Sequence, residues 1–70
     1  MVKVLRKGTL VHVLPENLLN NQDEATCADH GYLWIVRRAS RRGQTYRCTA
    51  LATGKECIWF GDEIAEPNDG

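Results

Sequence analysis

Gly31-Tyr-Leu-Trp-Ile-Val-Arg-Arg-Ala-Ser-Arg-Arg-Gly-Gln-Thr-Tyr-Arg-Cys-Thr-Ala-Leu-Ala-Thr-Gly-Lys-Glu-Cys-Ile-Trp-Phe60 decides the fold of this chain. Three runs rich in β-branched and aromatic residues are separated by two turn-forming stretches, 39–43 and Thr53-Gly54. That pattern reads as two consecutive hairpins, a three-stranded meander. A two-residue turn at Thr53-Gly54 pairs Ala50 with Cys57 and Cys48 with Trp59. Threading the first hairpin with Arg37 opposite Tyr46 sets Ile35 beside Cys48 and Leu33 beside Ala50. One face then carries Leu33, Ile35, Tyr46, Cys48, Ala50, Cys57 and Trp59, nearly all apolar, and is expected to face the core. A one-residue slip would exchange the two faces. The opposite face carries Trp34, Val36, Arg47, Thr49, Leu51, Glu56, Ile58 and Phe60, more apolar than an ordinary solvated surface.

Upstream, Thr9-Leu-Val-His-Val-Leu14 is a strand stopped by Pro15, with Val11 and Val13 facing in and Leu10 and His12 facing out. Gly8 marks a bend at its entrance. Residues 15–30 form one long connection: a helical turn beginning at Pro15, a polar turn-rich tract over 20–24, and a short helix over 25–30 ended by Gly31. A connection of this length is usually functional or mobile. Downstream, Gly61-Asp-Glu reads as a tight turn, Ile64-Ala65 as a last short strand, and 67–70 as a frayed tail.

A chain of 70 residues forms one domain, assigned here to residues 1–66. It buries little surface alone, which makes association a natural source of further burial. Nine basic and nine acidic residues cancel, yet they are segregated. Arg37, Arg38, Arg41, Arg42 and Arg47 cluster on the first hairpin, and no Asp or Glu occurs between Asp29 and Glu56. The molecule is therefore expected to be dipolar, with a basic hairpin between acidic flanks. An odd number of cysteines, 3, excludes a complete intrachain disulfide framework. Neither a secretory leader nor an apolar run of membrane-spanning length is present, so a cytoplasmic protein with reduced thiols and no membrane partner is expected.

A first strand, a long polar loop, three meander strands, a tight turn and a short closing strand follow one another in Gly8 to Val13, Gly31 to Phe60 and Gly61-Asp-Glu-Ile64. This order resembles that of SH3-like small β-barrels, an all-β architecture of about five short antiparallel strands with one long loop after the first. The aromatic Ala-Leu-Tyr-Asp-Tyr type of tract of classical SH3 domains is missing from the first strand, so proline-rich-ligand binding does not carry over. The resemblance implies a fold shared by nucleic-acid binders, by phage and mobile-element accessory proteins and by a small tetrameric reductase, and selects none of them.

Three sets of residues carry chemistry. Trp34, Arg47 and Phe60 belong to residue types that dominate protein interfaces, and they point to contact with a protein partner or a second copy. Arg37, Arg38, Arg41 and Arg42, with Tyr46 for stacking, form the alternative: a nucleic-acid surface. Cys27-x-x-His30 with Cys48 and Cys57 is a further alternative, a Cys3His zinc site with only one pair at ligand spacing. Cys48 and Cys57, however, read as small hydrophobes on the apolar face. Cys27 with His30 or His12 lacks a third group to orient a base. The reading is thus non-catalytic, with no cofactor and no metal assigned.

Overall fold

The computed structural model describes residues 4–67. These residues form one five-stranded antiparallel sheet: β1 (Leu10–Val13), β2 (Leu33–Ala39), β3 (Thr45–Ala50), β4 (Glu56–Phe60) and β5 (Ile64–Ala65), in the order β4-β3-β2-β1-β5. A 3-10 turn at Pro15–Asn17 and a helix, α1 (Asn21–His30), occupy the connection between β1 and β2. The fold is therefore mostly β but not all-β. Apart from Pro67, the tail expected at 67–70 lies outside the described residues. Among the described residues no helix is long and apolar enough to cross a membrane.

The link between β4 and β5 constrains the shape of the sheet. These strands are its two edges, yet only the 3-10 turn Gly61–Glu63 joins them. Four strand spacings in a flat sheet amount to about 19 Å. The four steps from Phe60 to Ile64 span at most about 14 Å when fully extended, and roughly 8 Å in 3-10 geometry. The sheet must curl until its edges approach one another. Its ladder does not close, because β4 pairs only with β3 and β5 only with β1.

Inside the curl lie Val11, Val13, Trp34, Val36, Tyr46, Cys48, Ala50, Trp59 and Ile64, joined by Cys27 from α1. Trp34 and Trp59 meet edge to face, with ring centroids 5.4 Å apart at 74°, a favoured aromatic geometry. Trp34 Nε1 donates to Gly31 O at 2.9 Å, which satisfies the buried indole.

This core corrects the expected face of β2. Trp34 and Val36 are inside, while Leu33 is 48% exposed and Ile35 half-buried. The cause is a β-bulge. Next to the turn Ala39 pairs with Tyr46 and Arg38 with Arg47, but the next pair is Val36 with Cys48. Arg37 is the extra residue. Strict alternation from Ala39 would have turned Arg37 and Ile35 inward; one inserted residue exchanges the faces beyond it. The second hairpin is also shifted, with Cys48 opposite Cys57 rather than Trp59, across a wider loop than two residues. That shift is two residues, so Tyr46, Cys48 and Trp59 keep their expected side.

The long connection is more ordered than its composition suggests. Asn20 caps α1 by accepting from Asp23 N at 2.9 Å, and Asp23 and Glu24 occupy the first turn, where the helix dipole favours acids. The polar tract over 20–24 is therefore the start of the helix, not a turn. Gly31 ends it at φ +88, its N–H donating to Cys27 O.

The bulge predicts a sharp asymmetry between neighbours. Trp34→Ala should cost about 3–5 kcal/mol, and Leu33→Ala no more than about 0.5 kcal/mol, in urea unfolding. Equal losses at both positions would contradict the observed register.

Candidate functional site: the outer sheet face

With Trp34 and Val36 inside, the convex face of the sheet presents the remaining residues. Leu10 lies opposite Ile35, which is opposite Thr49 and then Glu56. The neighbouring row runs Arg38, Arg47, Ile58. Leu33 follows beside His12, and Phe60 beside Thr45. Leu10, Leu33, Leu51, Ile58 and Phe60 are 40%, 48%, 49%, 62% and 50% exposed. A run of this kind on one face is more than the scattered apolar residues of an ordinary surface. Arg37, Arg38 and Arg47 are exposed on its β2–β3 part, and Arg41 and Arg42 are exposed at the adjoining turn.

Of the expected contact residues, Arg47 and Phe60 are on this face. Trp34 is not: at 0% exposure it is a core residue. Tyr46 is corrected in the same way. It is 2% exposed, and its hydroxyl accepts from Leu5 N at 3.2 Å, so its ring is closed to base stacking. Leu33 is the contact candidate that regular alternation hid. The signal lay in Arg37-Arg38, because an unbroken period of two through both arginines buries one of them.

The other chemical groups lie on the inner side. Cys48 and Cys57 face each other across β3 and β4, and Cys27 approaches from α1. Burial, reinforced by Asp23, Glu63 and Cys57, pushes the Cys27 thiol up to about 11; burial and then Cys57 do the same for Cys48, also to about 11. Both are protonated near neutral pH, a poor state for a nucleophile or metal ligand. His30 Nδ1 lies 2.7 Å from Thr53 Oγ1. No group of three or more His, Cys, Asp or Glu among the described residues is arranged to hold a metal ion. A cleft of about 630 Å³ opens between the first hairpin's turn and β5, bordered by Arg42, Tyr46, Phe60, Ile64 and Glu66.

Glu63 is the one buried charged residue among those described, at 2% exposure. Its Oε1 accepts from Phe60 N at 3.0 Å, and Asp23 is a side-chain hydrogen-bond neighbour. Burial raises its pKa most; the Phe60 N–H opposes this, and Asp23 and Asp62 add to the rise. Comparison with protein-family models, with curated proteins and with solved structures returned no match.

Two predictions follow from these inner groups. With the folded Glu63 pKa raised above its unfolded value, its contribution to stability is fully present below the unfolded pKa and is lost as pH rises through the folded one. The wild type should therefore lose thermal stability relative to Glu63→Gln between pH 4 and pH 8; parallel curves would contradict the assignment. In iodoacetamide labelling at pH 7.5, half-buried Cys57 should react first, and buried Cys27 and Cys48 only as the chain unfolds. First modification at Cys27 or Cys48 would contradict it.

Proposed function

We propose that this chain is a non-catalytic binding module on the SH3-like small-barrel plan, whose outer sheet face contacts protein, in the first instance a second copy of itself. The barrel assignment draws support from the strand order and from the three-residue link that brings both edges together. The functional assignment rests on one observation: Leu33, Ile58 and Phe60 are each about half exposed or more on a single face, with Arg47 among them. Burial of such a face is favourable at roughly 25 cal/mol per Å². Zero formal net charge removes the repulsion that would oppose self-contact.

A second reading, nucleic-acid binding, is favoured by Arg37, Arg38 and Arg47 sharing that face beside Phe60. It no longer has Tyr46 as a stacking ring. Salt separates the two readings. Phosphate contacts lose affinity with a log–log slope of about −0.7 per neutralised phosphate on a single strand, whereas apolar contact persists.

Sedimentation of the wild type from micromolar to millimolar concentration should show reversible association. It should survive 0.5 M salt and weaken at least tenfold when Ile58 and Phe60 are both replaced by Ser. A monomer at every concentration would overturn the self-contact reading. Binding to oligonucleotide with a steep salt slope would favour the second.

A further inference from the structure

Resting on the self-contact reading, we propose the mode of contact: two copies pair antiparallel through the edge of β4 that no strand among the described residues covers, about a two-fold axis at Cys57. The backbone sets the geometry. Ala50 N donates to Lys55 O and Gly61 N to Gln44 O, both at 2.8 Å. With the register Thr45–Phe60 to Thr49–Glu56, these bonds define the alternation of the ladder. Even-numbered residues of β3 exchange bonds with odd-numbered residues of β4. The N–H and C=O groups of Glu56 and Ile58 therefore point away from β3, toward the open edge of the sheet. Phe60 does not contribute in the same way, because its N–H is held by Glu63 Oε1.

An edge that offers Glu56 and Ile58 is self-complementary in one register. Glu56 of one copy lies opposite Ile58 of the other, and each such pair exchanges two backbone hydrogen bonds. The two-fold axis generates the second pair. Cys57 then faces its own copy across a non-hydrogen-bonded pair, where Cα atoms are about 4.5 Å apart. The side chains agree with this register. Arg47 is the cross-strand neighbour of Ile58 on the outer face, so the other copy's Glu56 falls two strand spacings from Arg47, about 10 Å between Cα atoms. The arginine and glutamate side chains together span that gap, over an Ile58 that is 62% exposed in the single chain. Opposite charges meet twice by symmetry, and the two sheets continue into one. Edges of this kind are templates for pairing unless something blocks them. β4 carries neither proline nor lysine, and its single charged residue, Glu56, has a counter-charge waiting across the axis.

The test uses the full chain in sedimentation with two kinds of variant. Ile58→Pro removes an N–H that β3 does not use, so it spares the internal ladder; it should weaken association at least tenfold. Glu56→Arg should weaken it likewise, and the double variant Glu56→Arg with Arg47→Glu should restore it to within threefold of wild type. Diamide, which takes one proton and one electron from each of two thiols, should link two copies through Cys57. A wild type that associates while Ile58→Pro associates equally well, a charge swap that fails to rescue a folded double variant, or a cross-link at Cys27 or Cys48 overturns the edge geometry and leaves face contact standing. A wild type that never associates removes both.

Discussion

One inserted residue, Arg37, governs how this small sheet divides inside from outside. Next to the first turn the strand alternates in one phase, and beyond Arg37 in the other. The bulge keeps both Arg37 and Arg38 in water and turns Trp34 and Val36 inward. Trp34 then meets Trp59, and those two rings fill the centre of a core drawn from every strand and from α1. A chain of 70 residues has no spare apolar surface from which to assemble a second core. The phase of β2 is therefore a condition of folding.

The same device fixes what the molecule shows to its surroundings. Residues that an uninterrupted strand would have hidden, Leu33 above all, join Leu10, Ile58 and Phe60 on the convex face. The short passage from β4 through Gly61–Glu63 to β5 bends the sheet hard enough to enclose the core without covering that face. Glu63 is drawn inside by this passage. Its backbone carbonyl accepts from Leu14 N, and its side chain accepts from Phe60 N, so Glu63 ties the end of β4 to the chain just after β1. The Cys27 and Cys48 thiols are buried on the inner side, where burial raises both pKa values.

Much of this was legible in the residues themselves. Val11 and Val13 face in, as alternation requires, and so do Tyr46, Cys48 and Trp59. Gly31 ends the helix and Ile64–Ala65 forms the last strand. A two-residue error in the second hairpin did no harm, because the side-chain period of a strand is two. A one-residue error in the first exchanged core for surface. α1 was half visible. Its end was marked by glycine, but its start lies in a polar tract, the whole helix buries a single residue, Cys27, and only the Asn20 cap and the acids after it announce a helix. The outer face was visible as an excess of apolar residues; its membership was not, since that depended on the bulge.

A two-dimensional nuclear Overhauser spectrum of the folded chain tests the central division most directly. The account predicts cross-peaks from the Trp34 ring to the Trp59 ring and to Ala50, with the Leu33 methyls free of any contact to the core. Cross-peaks placing Leu33 against Ala50 and Cys48, with the Trp34 ring in water, would contradict it.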